Sequence, residues 1–274
     1  MNCLLCQSVY GLCRIIFPFL DHSIIFLQFP LAASFIDKEG VRAMILLQGP
    51  RLSYFLSCPY IRDEECRFEY FYANNLDGTD LDELLRLGWR KFGEYYFRPS
   101  CGSCRRCIPL RVLVQEFKPT KTQRRVMRKC AGLMVRFGGL DYRDEIFDIY
   151  RDHSRTRFGM ESSPEEFFAT FYTKSCPAMQ SEYFLDEKLI AAGFIDISTD
   201  SLSSVYFAYR TAYERYRLGT YSVLKEVEYA AIKGLKYYYL GYYVRDNRSM
   251  AYKNHFHPNE KFDWESREWV REGT

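Results

Sequence analysis

Leu189-Ile-Ala-Ala-Gly-Phe-Ile-Asp-Ile197, Ser198-Thr-Asp-Ser201 and Leu202-Ser-Ser-Val-Tyr-Phe-Ala-Tyr209 form the stretch that decides the fold. The two apolar runs read as strands and the polar tetrapeptide between them as a turn, so the three together predict a hairpin. Tyr216-Arg-Leu-Gly219-Thr220 follows, with Thr220 placed to cap a helix. The spacing of Val223, Val227, Ala230 and Ala231 predicts that helix over Tyr221–Lys233, ended by Gly234. Leu235-Lys-Tyr-Tyr-Tyr-Leu240 reads as a further strand. Strands and helices in this alternation predict a mixed α/β (α+β) chain.

Hairpin, glycine-bearing loop, helix and strand is an order that resembles the centre of an N-acetyltransferase-like fold. In such a fold a helix N-terminus, with free N–H groups and the positive dipole end, receives a phosphate-bearing acyl donor. Gly219 and Thr220 would stand at that terminus. An ordinary helix-entry turn would explain the same glycine.

The net charge of +3 on 274 residues hides an asymmetry. Arg86 to Arg136 holds fourteen basic residues and two acids, a local +12 that leaves −9 on the rest of the chain. Such a segment is the footprint of a phosphate-binding surface; a solvated basic face is the alternative. Trp89, Phe92, Tyr95, Tyr96 and Phe97 thread it, either as platforms for single-stranded RNA or as one strand's core face.

Cys101-Gly-Ser-Cys104-Arg-Arg-Cys107 spaces three thiols so that a loop brings them towards one ion. Cys58 is the expected fourth ligand, with Cys66 and Cys130 as competitors. Four thiolates accept zinc or an iron–sulfur cluster equally well, and reduced thiols without metal are the third choice.

Residues 1–43 differ in composition. Met1 to Ile36 carries only two formal charges, Arg14 and Asp21, and Pro30 interrupts its longest charge-free run. The segment fits neither a membrane span nor a signal peptide well. It reads as an atypical apolar extension, either a mis-assigned start with Met44 as the alternative or a weak membrane or export signal. Absence of secretion would place the chain in the cytoplasm, away from membranes.

The wider motif string is specific. Cys58-Pro-Tyr60, Leu87-Gly-Trp-Arg-Lys-Phe-Gly93, Tyr96-Phe-Arg-Pro99, the Cys101–Cys107 run through Arg111, and Phe117 to Arg125 occur in consistent order. Val205-Tyr-Phe207, Leu218-Gly-Thr-Tyr221, Tyr239-Leu-Gly-Tyr242 and Met250 to Pro258 continue it. Together these resemble the aminoacyl-tRNA–protein transferases. The resemblance implies an enzyme that moves an amino acid from its tRNA to the α-amine of proteins beginning with Asp or Glu, marking them for degradation. The cysteine run is similar to the bacterial, leucyl-transferring branch; an arginyl transferase is the alternative within the family. Departures fall at Lys91-Phe92-Gly93, at Thr120-Lys-Thr-Gln123 and at the family's Arg-His pair, which is missing around Arg155-Thr156-Arg157.

The implied division is 44–138 as a Cys-rich, basic, tRNA-facing domain and 139–274 as the transferase domain. Transfer from an activated ester needs no cofactor; positioning and oxyanion stabilisation suffice. Tyr206, Tyr242, Tyr252 and Lys253 are the groups expected near the transferring carbonyl, and His255 or His257 a further base. Arg90, Arg98, Arg111, Gln123, Arg124 and Arg125, with Gly219 and Thr220, are the expected substrate contacts. Arg90 and Arg111 are the cations proposed for the acceptor's acidic side chain. A coenzyme A-dependent acetyltransferase and a non-catalytic metal- or RNA-binding module are the readings from other classes.

Overall fold

The computed structural model describes residues 33–36 and 42–271. Of the apolar extension, Ala33–Ile36 (β1) pairs antiparallel with Arg42–Leu52 (β2); the remainder lies outside the described residues. A two-stranded ribbon, Leu56–Ser57 (β3) with Glu65–Cys66 (β4), precedes Phe68–Asn74 (β5). Helix α1 (Gly78–Arg86) leads to Arg90–Phe92 (β6) and Tyr95–Pro99 (β7), completing a five-stranded sheet of order β1-β2-β5-β7-β6.

The second sheet has eight strands. Ile108–Leu113 (β8), helix α2 (Lys121–Lys129) and Met134–Gly138 (β9) come first. Helices α3 (Asp144–Phe158) and α4 (Pro164–Phe171) precede the meander Ala178–Leu185 (β10), Lys188–Ile197 (β11) and Ser201–Tyr209 (β12). Then come α5 (Leu218–Ile232), Tyr237–Tyr243 (β13), α6 (Arg248–Ala251), Asn259–Phe262 (β14) and Trp269–Arg271 (β15). The sheet order is β15-β14-β8-β13-β12-β11-β10-β9. Since β8 and β9 belong to it, the expected division at 138/139 runs through this sheet.

The expected hairpin is β11–β12, antiparallel from Ala191↔Tyr209 to Ile197↔Leu202. Neighbouring β11 residues serve opposite faces, as the two-residue strand period requires. Ile195 packs with Val223, Val227 and Ala230 of α5, while Phe194 packs with Ile149 of α3 and Phe167 of α4. With both faces covered, the strand is a nearly unbroken apolar run, and each large buried side chain contributes roughly 2 kcal/mol.

Helix α5 starts three residues earlier than its periodicity predicts. Arg217 turns the chain at φ 56° after a 3₁₀ stretch, Thr211–Tyr216, and stands at the N-cap without a side-chain bond. Thr220 therefore lies inside the first turn instead of capping it. Gly234, at φ 73°, follows the helix end as expected.

Much of the aromatic excess is core. Tyr95, Tyr96, Phe97 and Trp89 are buried, so these rings are not stacking platforms for bases. Phe71 stacks on Tyr96 with centroids 5.0 Å apart. Among the described residues no helix is long and apolar enough to cross a membrane.

Candidate active site

Two adjacent parallel strands part company. β12 and β13 pair only at Ser201–Ser203 with Tyr237–Tyr239, and past that point no pairing joins them. On its other edge β13 carries a bulge against β8 between Tyr239 and Gly241. The opening so formed is a cavity of about 550 Å³, lined by both strands, β6, α3, the first turn of α5 and the 252–253 turn.

Arg90 of β6 occupies the fork. Its guanidinium donates to Ser203 Oγ at 2.8 Å and to the Ser204 carbonyl. Next to it, Lys91 forms a buried ion pair with Asp196 of β11, Nζ to Oδ1 3.0 Å. Gly93 closes the β6–β7 turn at φ 53°, where a Cβ would meet the Ala169 carbonyl oxygen at 2.4 Å.

Lys253, in a 3₁₀ turn (Tyr252–His255), donates to the Tyr242 carbonyl at 3.0 Å. Burial, with the Arg90 guanidinium nearby, pulls its pKa from 10.5 down to about 7. Gly241, at φ 83°, makes room for both cations: a Cβ there would sit 3.3 Å from Lys253 Nζ and 3.7 Å from Arg90 Nη2. Among the described residues neither Arg90 nor Lys253 forms an ion pair. That leaves the Arg90 guanidinium as uncompensated positive charge at one end of the cavity, with an amine of lowered pKa beside it.

The opposite wall is aromatic. Phe92 stacks on Phe97 at 5.7 Å and meets Phe171 edge-on at 6.1 Å. Tyr206 follows, 5.3 Å from Phe171, its hydroxyl 3.3 Å from His153 Nδ1. Burial, helped by Arg157, pulls His153 down to about 4, so its imidazole is neutral near pH 7. Among the described lining residues Glu214 is the one acid besides which only cations are charged, and it pairs with Arg157 at 2.6 Å.

Of the expected catalytic group, Tyr206, Tyr242, Tyr252 and Lys253 all line this cavity. Tyr242 contributes its ring and carbonyl, because its hydroxyl donates to the Gly88 carbonyl at 3.0 Å and lies 3.4 Å from that of Phe97. Tyr252 keeps its proton, its pKa pushed up to about 12 by burial. Gly219 and Thr220 line the cavity from α5. His255 and His257 do not; His257 Nδ1 is 3.2 Å from Asn259 Nδ2.

Several expected substrate contacts are structural instead. Arg111 is buried between Tyr237 and Trp269, at 3.8 and 4.4 Å from their centroids, and salt-bridged to Glu260 at 2.7 Å. Arg98 pairs with Glu69 at 2.8 Å over the Trp89 ring. Gln123 is buried; its Oε1 accepts from Thr120 N at 2.8 Å and its Nε2 donates to the His255 carbonyl at 3.0 Å. It thus fastens α2 to the turn that carries Lys253. Arg124 and Arg125 are exposed on α2 with Lys121, Arg128 and Lys129. This basic helix packs on α5, whose first turn borders the cavity.

The thiols gather without forming the expected chelate. Cys66 Sγ donates to the Ser57 carbonyl at 3.7 Å, and its thiol beside Cys58 pulls the Cys58 pKa from 9.0 down to about 6. Cys101 bonds to the main chain of Arg67, and burial raises Cys107. Among the described residues no three or more His, Cys, Asp or Glu side chains are arranged to hold a metal ion. The four-ligand arrangement expected at Cys58, Cys101, Cys104 and Cys107 is not found among the described residues; Cys101 is turned to the Arg67 main chain.

Comparison with known proteins agrees with the motif string. The pattern for the N terminus of arginine-tRNA-protein transferases matches residues 56–125, and that for the C terminus matches 145–263. The chain belongs to this family. It is 37% identical to an aspartate/glutamate leucyltransferase of Chromobacterium violaceum, over 73% of this chain and 85% of the relative. A protein of the same name from Helicobacter hepaticus is 31% identical over 74% of this chain and 87% of its own length. One from Thiobacillus denitrificans is 33% identical, over 76% and 90%. Among solved structures, L-PGS from Bacillus licheniformis aligns at a TM-score of 0.40 with 11% identity, over 60% of this chain and 50% of that one. A likeness at that level carries no argument.

Membership of the family makes the chain an aminoacyltransferase. His153 escaped the motif reading, and Arg157 entered it only where the Arg-His pair is missing, although the two stand four apart on α3, one face of a helix. That spacing was the signal available. Asp196, the counter-ion of Lys91, had no signal in the sequence at all.

Proposed function

We propose that this enzyme transfers a leucyl group from tRNA to the α-amino group of proteins whose first residue is Asp or Glu. One observation carries the reading: a single cavity joins an uncharged aromatic wall to two basic side chains, Arg90 and Lys253, that have no acidic partners among the described residues. The wall suits an apolar aminoacyl side chain, the Arg90 guanidinium suits an acceptor carboxylate, and Lys253 suits a base. The parting of β12 and β13 beside a helix N-terminus supports an N-acetyltransferase-like arrangement. An arginyl donor would need an acid in the cavity, and Glu214 is already engaged by Arg157.

The chemistry follows from the groups present. The acceptor α-amine attacks the ester carbonyl, the tetrahedral oxyanion collapses, and the ribose oxygen leaves with a proton. Lys253, near pKa 7, accepts the proton from the attacking nitrogen and returns it to the leaving oxygen. Arg90 draws the acceptor's side-chain carboxylate into the fork. Tyr206 and Tyr252 supply hydroxyls to the oxyanion. The basic face of α2, in the 44–138 segment, takes the tRNA backbone, and a supply of charged tRNA puts the reaction in the cytoplasm.

The test is a matrix of leucyl-, arginyl- and phenylalanyl-tRNA against Asp-, Glu- and Ala-initiated peptides. Leucine should pass to the Asp and Glu peptides and not to Ala. Transfer from no donor, or faster transfer of arginine, overturns the proposal.

A further inference from the structure

Phe92 stands where two clusters of the core meet at the cavity. It is half-buried, and it packs both against the cluster of Phe68, Tyr95 and Phe97 and against that of Ile146, Phe167 and Phe194. Two rings hold it: Phe97 lies parallel beneath the ring (interplanar angle 12°) and Phe171 abuts it at 84°. A ring fixed on two sides by other rings is a rigid wall, not an adaptable one.

Its place on β6 relates that wall to the reacting centre. Arg90 and Phe92 are two positions apart and so share one face of the strand, about 7 Å from one another along it. That separation is of the order of a leucyl side chain's reach from its carbonyl carbon, and a phenylalanyl ring extends further. Val205 and Tyr206 of β12 face the same space and pack on the same cluster as Phe92. A donor whose ester is held near Lys253 and Arg90 therefore directs its side chain at Phe92.

We infer that Phe92 is the specificity-determining residue for the donor: its ring closes the aromatic end of the cavity and fixes the length of the apolar side chain admitted. This rests on the leucyl-transfer reading and goes further by naming what limits the donor. A leucyl group ends against the ring. A phenylalanyl group overruns it, and an arginyl group brings a cation into an apolar wall beside Arg90, where nothing pairs it.

The experiment is a competition in which differently labelled leucyl-, phenylalanyl-, valyl- and arginyl-tRNA are offered together with an Asp-initiated peptide. Phe92→Ala should raise the phenylalanyl-to-leucyl ratio about ten-fold or more, the scale of discrimination that a few carbons in an apolar pocket provide. Phe92→Leu should leave that ratio within about three-fold of the parent, since it keeps the wall apolar and nearly full. Val205→Phe narrows the same space from β12 and should shift the ratio from leucyl towards valyl; it decides the matter if Phe92→Ala does not fold. Unchanged donor ratios in the folded variants, or a uniform loss for all donors, overturn the inference. Failure of the leucyl-transfer reading would show separately, as a parent enzyme that transfers no leucine.

Discussion

Replacing Lys253 by alanine should change the shape of the pH–rate profile as well as its height. In the parent two groups must be neutral for attack: Lys253, near pKa 7, and the acceptor α-amine, ordinarily about 7.8. Between pH 6 and pH 7 the neutral fraction of the lysine grows roughly 5-fold and that of the amine roughly 9-fold, so kcat/KM should climb about 50-fold. In Lys253→Ala only the amine titrates, and the climb should fall to roughly 9-fold. At pH 7 the rate itself should drop about 100-fold, the ordinary worth of a positioned base. Lys253→Arg keeps the charge but cannot release a proton in this range, so it should behave as the alanine variant does. Single-turnover transfer from leucyl-tRNA to an Asp-initiated peptide, followed from pH 6 to 8, measures both quantities. A variant with the parent's 50-fold climb would refute the assignment. So would an arginine variant with the parent's rate, which would make Lys253 a fixed charge only.

Glu226 predicts a stability effect of its own. Burial raises its carboxyl from 4.5 to about 7 despite bonds from Tyr238 Oη at 2.5 Å and Ser181 Oγ at 3.5 Å. The folded state keeps a proton that the unfolded chain releases above about 4.5. Stability therefore falls by about 3 kcal/mol as pH rises from 4.5 through 7, and urea titrations of Glu226→Gln should lack that fall. Gly241→Ala should lose transfer activity and about 1–2 kcal/mol of stability, through its left-handed backbone and the crowding of Lys253; thermal melts and rates check it together. Alanine at Lys121, Arg125 and Arg128 should raise the KM for aminoacyl-tRNA, leave the peptide KM alone, and flatten the salt dependence of tRNA binding by roughly one per lost phosphate contact. Arg90→Met should abolish the preference for Asp over Asn at the acceptor terminus, as measured with paired peptides.

What the sequence disclosed follows the range of the forces involved. β11, β12 and the body of α5 were legible because strand alternation and helical spacing are local, and Gly234 marks a left-handed position that side chains avoid. The start of α5 was not legible, because it is set by Arg217 entering the left-handed region after a 3₁₀ stretch that no periodicity announces. Lys253, Tyr206 and Arg90 were found through motif likeness, and the structure brings them to one cavity. Arg111 shows the limit. Its fate is decided by Glu260, 149 positions away, and by Tyr237 and Trp269, so an arginine that looked ready for a ligand is closed off within the fold. The thiols behave similarly: the Cys101–Cys107 spacing suits an ion, but the ribbon sets Cys66 opposite Leu56 with its thiol on the Ser57 carbonyl, and Cys101 bonds to the main chain of Arg67.

The position of β8 carries a consequence for how this enzyme comes into being. It is inserted between β13 and β14, with Leu110 opposite both Gly241 and Lys261. More than a hundred residues must leave the ribosome before that strand gains either neighbour, and pairings so remote in the chain are slow to form. A nascent chain halted before residue 240 thus exposes two unsatisfied edges and has no Lys253 turn, so it has neither a closed sheet nor a working amine. Competence arrives only with the last part of the polypeptide, and a half-made transferase holds no chemistry to misdirect.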